Sequence, residues 1–552
     1  MGKMNVRKTV IAGAIGECVH IAGVSNFLKL AEQVGWRVVF LGPATPIRKI
    51  IKVAKEQSAD LVGVSYRLTP ENGEQLLAEF AEAADELHSS GVRFAFGGTP
   101  EVAECARRMQ FFEVAFDGTE NVEMVLAYLK GNPVRALKEE DIPQTAIERI
   151  IWKSPLPLIR HHFGLPDYDA TLKGVQEIAE AEVLDVISLG IDQDAQEFFF
   201  HPEKQKKRRK GAGGVPVRNA EDYRQLYQAT RTGNHPLIRT YSGTNDLIRL
   251  AEMYVETINI AWAAVPLYWF NRMDGRGPLG LEESIRKHQE LMSWYGQRKI
   301  PVEANEAHHW GMRNASDVIF VTAAYLAAYN ARAFGVRDHI VQMMFNSPPG
   351  ASDMMDLAKM LALKKLISRL EQPGFKLWWQ TRTGLLSYPV DMNHARAHLA
   401  TTVFIQMLLK PDILHVVGYP EANHAVSAKE VIESCKMARW ALRHSMRSNI
   451  ELINDAKISK RVEELVKEVS VLLEAIRKLG NTEHEDPLTD VDTLAKAVRM
   501  GILDAPQLKD NSYGRGEDIT GFDERGACVS LNPQTGTPFD ELNRIAMTLG
   551  LE

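Results

Sequence analysis

Cysteine is scarce in this sequence: Cys18, Cys105, Cys435 and Cys528 are the only four in 552 residues, far apart and with no CxxC pair. That argues against a disulfide framework, a zinc ribbon or an iron–sulfur cluster, and fits a reducing compartment. Long apolar runs are also missing. No stretch of about 18 apolar residues occurs, and the opening MGKMNVRKTVIAGAIGE is too briefly apolar for a signal peptide. Nor is positive charge in excess: 65 Lys and Arg against 71 Asp and Glu leave a net −6. There is thus no electrostatic case for a nucleic-acid or membrane partner. No internal repeat is visible. What is present is 45% apolar and 25% charged residues, the ordinary balance of a folded chain. At roughly 150 residues per domain the length suggests three or four domains. The expectation is a large cytoplasmic enzyme.

Residues 7–130 alternate strand-like and helical stretches. RKTVIAGAIG, WRVVFLG, ADLVGVS and VRFAFGG are short apolar runs without period-2 alternation. Between and after them lie helical patterns at Val24–Val34, Pro46–Glu56, Glu71–Ser89 and near Asn121–Leu129. Strands buried on both faces imply a parallel sheet between helices, a doubly wound α/β domain of flavodoxin-like or Rossmann type. Ligands of such sheets bind outside the carboxyl ends of the strands. A polar, proline-bearing linker, 133–157, follows. From 158 to 455 a second alternation runs through LDVISLG, HPLIRTYSG, TINIAWAAV, IPVEANEAH, HIVQMMF, FKLWWQTRTG and DILHVVGY, with helices such as Glu282–Tyr295 and Asp317–Phe334. With a weak run near Leu158 this makes about eight strands over about 300 residues, the rhythm of a (β/α)8 barrel of TIM type. A charged amphipathic helix over 455–479 opens a loop-rich extension, 456–552. The basic run KQKKRRKGAGG, 204–214, reads as a solvated loop, with a phosphate or polyanion contact as the alternative.

The informative stretch is GAIGECVHIAG, 13–23, at the end of the first strand. Alone it reads equally as a glycine turn with an incidental histidine. Two more signals stand at later strand ends of the same unit: Ser65-Tyr66-Arg67-Leu68-Thr69, and Gly97-Gly98. Together these resemble the cobalamin-binding domain of corrinoid mutases and methyltransferases, which carries Asp-x-His-x-x-Gly, a Ser-x-Leu-type strand end and a Gly-Gly pair. His20 and Gly23 match the first motif, Ser65, Leu68 and Thr69 the second, Gly97 and Gly98 the third. The resemblance implies that His20 is the lower axial ligand of cobalt, with the nucleotide tail threaded past Ser65 and the two glycines. The family's aspartate, which fixes the histidine tautomer, falls at Cys18, and a thiol is a weaker acceptor.

GAIGECVHIAG looks most like the small component of glutamate mutase (methylaspartate mutase). HPLIRTYSGTNDLIRLAE, RNASDVIFVTAAYLAAYNARAFGVRDHIV, LAKAVRMGILDAP and GFDERGACV resemble its large, barrel-forming component. The chain would fuse the two, with the cobalamin domain first. What this implies is a radical mutase: adenosylcobalamin supplies a radical that takes a hydrogen from the substrate, and a carbon fragment migrates before the hydrogen returns. Arg160 and Arg239 fall where the family keeps two carboxylate-binding arginines, suited by their fork to that task. A third such arginine is replaced near Asp192. Tyr268 matches a family tyrosine in the substrate site. The amine-binding glutamate becomes Ile260, and the lysine that holds the adenosyl ribose becomes Gly418, with Glu421 in place of the neighbouring acid. A non-amino carboxylic acid, with an apolar arm beside Ile260 and Trp262, is therefore the expected substrate.

Blander readings stand beside these. A strand-end arginine is often a structural ion pair, and Tyr268 lies in an aromatic run that suits core packing. His161-His162 and His308-His309 are neighbours expected to point apart, and His394 with His398 lacks the glutamate of HExxH, so no metal site is expected there. The alternatives to the mutase are a corrinoid methyltransferase, using methylcobalamin, and a non-catalytic cobalamin-binding protein. The assembly considered is a possible homodimer.

Overall fold

The computed structural model describes residues 7–120, 122–132, 139–206, 213–447, 454–480 and 486–550. Most of the basic run (207–212), part of the linker (133–138) and residues 481–485 of the tail lie outside them. The chain divides into two compact units, 1–137 and 138–552.

In the first unit, strands β1 (Thr9–Ile15), β2 (Arg37–Thr45), β3 (Leu61–Tyr66), β4 (Arg93–Gly98) and β5 (Val114–Phe116) form one sheet in the order β2-β1-β3-β4-β5. Every pair is parallel. This is the 2-1-3-4-5 order of flavodoxin-like sheets. Both faces are covered, which is why the strands show no alternation. Ile11, Val62, Phe94 and Phe96 pack with Ile50, Leu77 and Phe80. Val10, Ala12, Leu61 and Ala95 pack on the opposite side with Val24 and Leu28. The sequence reading passed over β5 and the helix Pro100–Met109. Three residues are too few to register as an apolar run, and the helix begins directly behind Gly98, with Pro100 in its first turn.

The second unit holds β6 (Leu158–Phe163), β7 (Val186–Leu189), β8 (Leu237–Arg239), β9 (Ala263–Ala264), β10 (Val302–Ala304), β11 (Asp338–Phe345), β12 (Lys376–Thr383) and β13 (Ile413–Val416). All are parallel, and β13 pairs back onto β6, so the sheet curls into a nearly closed barrel. The seam lies between β8 and β9, where the Ala261 amide donates to the Ile238 carbonyl at 2.8 Å. All eight expected strands are present, several of them only two to four residues long.

Part of the segment expected as linker is instead a helix, Ala146–Lys153, capped by Thr145. Its Ala146 and Ile150 pack against Leu158, Val186, Leu237, Trp262, Ile340, Trp378 and Ile413. Those residues lie at or near the amino-terminal strand ends, so the helix plugs the barrel floor. Lys153 is tied to Asp185 at 2.6 Å, both buried. The largest apolar core lies outside the barrel, among the helices Leu281–Gln297, Asp317–Ala333, Asp353–Ile367 and Ala456–Leu479. A buried ionic link runs through it, from Lys359 to Asp356 (2.7 Å) and Asp317 (3.2 Å) and on to Arg461 (3.6 Å). The tail adds an antiparallel pair, β14 (Thr520–Phe522) with β15 (Cys528–Ser530). All four cysteines are buried and free. Among the described residues no helix is long and apolar enough to cross a membrane.

Candidate active site

At the carboxyl ends of β1, β3 and β4 the expected residues gather. Past β1 the chain turns at Gly16, whose φ of +62° is the left-handed region glycine tolerates. Cys18 is fully buried while Glu17 and His20 are exposed, so the thiol, not the neighbouring carboxylate, faces the imidazole: Cys18 Sγ lies 3.9 Å from His20 Nδ1. Gly23 sits in the first turn of the helix Ala22–Gln33, and a Cβ there would meet nothing within 4 Å. Ser65 is buried near the end of β3, and its Oγ has no hydrogen-bond partner. Across the ladder it faces Gly97, where a Cβ would again meet nothing within 4 Å. Gly98 differs: a Cβ there would stand 2.7 Å from the Phe96 ring and 2.9 Å from the Tyr66 carbonyl. Packing therefore accounts for Gly98 but not for Gly97. Leu68 and Thr69 are exposed, Leu68 just before the helix Pro70–Ser89 and Thr69 as its N-cap.

The barrel interior is polar. In eight-stranded barrels inward side chains stack in layers of four drawn from alternate strands. Here one layer is Arg160, Arg239, Glu303 and Gln380, from β6, β8, β10 and β12. Glu303 accepts from Arg160 Nη1 (2.9 and 3.1 Å), Arg239 Nη2 (2.8 Å), Trp262 Nε1 (2.7 Å) and Gln380 Nε2 (2.8 Å). Burial opposes the charge on Glu303, but Arg160 and Arg239 hold its carboxyl far below the usual carboxylate range. Arg160 is further satisfied by Ser188 and by the Gln380 carbonyl at 2.7 and 2.6 Å. Burial, with Arg239 beside it, pulls its guanidinium down to about 9, still charged at neutral pH. Arg239 is different. Its side chain is 1% exposed, and Nε and Nη1 have no hydrogen-bond partner.

Two residues further along the chain, toward the barrel mouth, come His162 and Arg382 within β6 and β12, and Tyr241 and Asn305 just past the ends of β8 and β10. His162 stacks on Tyr241 at 5.6 Å and lies 4.9 Å from His415 of β13. Burial, then Arg160, holds both imidazoles well below their ordinary values, hence neutral. Arg382 has one weak bond, Nε to the Thr383 carbonyl at 3.4 Å, and no ion-pair partner among the described residues. His162 Nδ1, Asn305 Oδ1, Gln342 Nε2 and His415 Nδ1 are all buried without hydrogen-bond partners. Unpaired buried polar atoms are costly and rare, so their concentration in one chamber marks it as a place for a polar ligand.

Several expectations need correction. Ile260 and Trp262 precede β9 and so lie toward the barrel floor, Trp262 packing on the plug helix. They form no wall at the mouth, and the buried acid of the inner layer is Glu303. His308 and His309 do not diverge: they share the short helix Ala307–Gly311 with ring centroids 4.0 Å apart. Tyr268 is fully buried, edge-on to Trp310 at 6.0 Å, with its hydroxyl unpaired. Asp192 caps the helix Gln193–Glu197 and is paired with Arg218. Glu421, beyond β13, accepts the Gly418 amide at 2.6 Å and lies 3.4 Å from His161 Nε2. A Cβ at Gly418 would come 3.0 Å from that nitrogen and 3.2 Å from Glu421, so no lysine fits there without rearrangement. His398 binds Ser387 at 2.8 Å, and among the described residues no cluster of metal-ligating side chains occurs. Glu303, Asn305, Gln342, Arg382 and His415 were missed. Their signal was polar residues two apart inside apolar strands, as in Glu303-x-Asn305 and Gln380-x-Arg382.

No protein-family model matches the chain. Among solved structures it is similar to a cobalamin-binding protein from Desulfitobacterium hafniense DCB-2, at 20% identity over 23% of this chain and 57% of that one, with a TM-score of 0.19. It is similar to the YdjI aldolase from Escherichia coli K12, at 12% identity over 55% and 94% of the two chains, TM-score 0.27. A third is the cobalamin-dependent S-adenosylmethionine radical enzyme OxsB, at 9% identity over 80% and 56%, TM-score 0.19. The chain thus spans a little over half the length of the first of these.

Proposed function

We propose that the protein is a cobalamin-dependent carbon-skeleton isomerase, a radical mutase resembling glutamate mutase and acting on a small carboxylic acid. The observation that carries the substrate class is Arg239. It is a buried guanidinium whose Nη2 donates to Glu303 while Nε and Nη1 are left over, and a carboxylate can pair bidentately with either of these together with the second Nη2 hydrogen. Arg382, with no ion-pair partner among the described residues, adds positive charge to the same chamber.

The first unit fits cobalamin. Ser65 Oγ is an orphaned buried hydroxyl, Gly97 leaves open space beside it, and His20 is exposed with Nδ1 turned toward Cys18. His20 would ligate from below through Nε2, while Ser65 and Gly97 would flank the nucleotide tail. Bound as adenosylcobalamin, the group supplies a carbon radical by homolysis of its cobalt–carbon bond. Arg239 would then hold the substrate carboxylate still while the neighbouring carbon reacts, and the Arg160–Glu303 pair would keep Arg239 in place. The apolar plug of Ala146 and Ile150 would close the floor behind the substrate.

One observation favours a second reading. Glycine stands at 418, where the family's ribose-binding lysine falls, and a Cβ there would press on His161 and Glu421, which suits a methyltransferase using methylcobalamin. Anaerobic incubation of the purified protein with adenosyl- or methylcobalamin and a panel of carboxylic acids, followed by optical and EPR spectra, separates the two. Rearranged acid with the adenosyl form alone supports the mutase, and demethylation of the methyl form supports the methyltransferase. Binding without turnover of either would leave a cobalamin carrier and sink the isomerase.

A further inference from the structure

Among the described residues of these two layers, no carboxylate is left with free acceptors. A substrate ammonium needs a carboxylate or several free acceptors, because a buried unpaired cation is costly. The carboxylate of the inner layer, Glu303, already accepts from Arg160, Arg239, Trp262 and Gln380. Apart from the Arg239 and Arg382 guanidinium groups, what is left over is neutral. His162 Nε2 faces Arg160 Nη2 at 3.4 Å, so that nitrogen is the acceptor and the proton of the neutral ring sits on Nδ1, an unpaired donor. Gln342 Nε2 is a second unpaired donor, and Asn305 Oδ1 an unpaired acceptor. Gln342 pairs in register with Gln380, whose side chain reaches Glu303, so both face the chamber. Asn305 lies two residues past Glu303, directly beyond the end of β10, and is buried.

We infer that the substrate of this site bears, near its carboxylate, a neutral hydrogen-bonding group, a hydroxyl or a carbonyl, read by His162, Gln342 and Asn305. The inference rests on the carboxylate-binding role proposed for Arg239 and replaces the apolar arm expected from Ile260. A hydroxyl can donate to Asn305 and accept from Gln342 or His162. A carbonyl can only accept, and an ammonium meets donors and guanidinium charge.

The test is isothermal titration of the full-length protein at pH 7 with two series: butyrate, 2-hydroxy-, 2-oxo- and 2-aminobutyrate, and glutarate with its 2-hydroxy, 2-oxo and 2-amino (glutamate) forms. In at least one series the hydroxy or oxo acid should bind roughly tenfold tighter than the unsubstituted acid, the order expected when a buried orphan gains its partner. The amino acid should bind more weakly than the unsubstituted acid. Gln342→Met and Asn305→Leu, each checked for native circular dichroism, should erase the preference, so that the substituted and unsubstituted acids bind alike. Equal binding of substituted and unsubstituted acids, or tightest binding of an amino acid, overturns this inference and leaves Arg239's role standing. If no acid binds, and Arg239→Met changes nothing, both fall.

Discussion

Replacing Glu303 with glutamine tests the electrostatic centre of the barrel most directly. The change keeps shape but removes the only negative charge between Arg160 and Arg239 in their layer, each of which is 1% exposed, as is Glu303 itself. Breaking a buried ion pair by neutralising one partner costs about 3–5 kcal/mol, because the remaining charge is stranded. Two guanidinium groups are stranded here, so the upper part of that range applies. The unfolded fraction of the barrel unit should rise by roughly three to three and a half powers of ten. Trp262 donates to this carboxylate, so the indole at the site is one of the nine that tryptophan fluorescence follows during urea unfolding. A small carboxylate or other anion added to Glu303→Gln should recover more stability than it adds to the native protein, since it supplies the missing counter-charge. Adding Arg239→Met to Glu303→Gln should also recover part of the loss. A midpoint for Glu303→Gln within about 1 kcal/mol of the native one, insensitive to anions, would falsify the view that these charges sustain one another.

The same carboxylate sets a pH response: its folded pKa is depressed, so its contribution is full above the unfolded value near 4.3, fades as pH falls below it, and is absent from Glu303→Gln in pH-dependent unfolding. Glu306 behaves oppositely. Burial raises it to about 7, so the folded state is protonated where the unfolded chain is not, and stability should fall between about pH 4.5 and 7 by on the order of 3 kcal/mol; Glu306→Gln should flatten that slope, and an unchanged slope would rule the assignment out. Nitrogen-15 labelling of histidine should alter the hyperfine splitting in the EPR spectrum of the protein loaded with reduced cobalamin, and indifference to the label would exclude His20 as ligand. Cys18→Asp should tighten cobalamin binding, because a charge-assisted hydrogen bond is roughly twice as strong as a neutral one; an unchanged Kd would show that the thiol at 3.9 Å matters little. Arg239→Ala should abolish measurable acid binding while Arg239→Lys recovers part of it, the ammonium lacking the fork; full recovery by lysine would count against bidentate contact.

The strand–helix rhythm was legible because parallel strands covered on both faces read as apolar runs, and β1 to β4 were found that way. β5 was too short to leave such a trace. The barrel strands were legible from the same signal, and Arg160 and Arg239 stood out because charge inside an apolar run is conspicuous. What those arginines face was not legible. Pairing across a barrel joins residues 143 positions apart, as from Arg160 to Glu303, and no local pattern encodes that. The error at Ile260 has the same root. The run TINIAWAAV offers several registers, and only the two-residue strand β9 fixes which end points to the floor. The plug helix was hidden because prolines on either side, Pro143 and Pro155, gave the stretch the look of a loop.

The placement of the largest apolar core outside the barrel separates where substitutions should be felt. A (β/α)8 domain usually draws cohesion from a hydrocarbon-filled centre, whereas here several central positions are arginine, glutamate, glutamine and histidine. Much of the cohesion falls to the helical shell, where Leu465, Val469, Leu472 and Ile476 of the last long helix share one cluster with Ile319, Ala323, Leu363 and Leu366. The carboxy-terminal segment is therefore less an appendage than a girdle. Lesions along it should lower the yield of folded protein while leaving the specific activity of the surviving fraction intact. Lesions in the inner polar layers facing the mouth should do the reverse, so an unselected library would sort into two phenotypes by distance from the barrel axis.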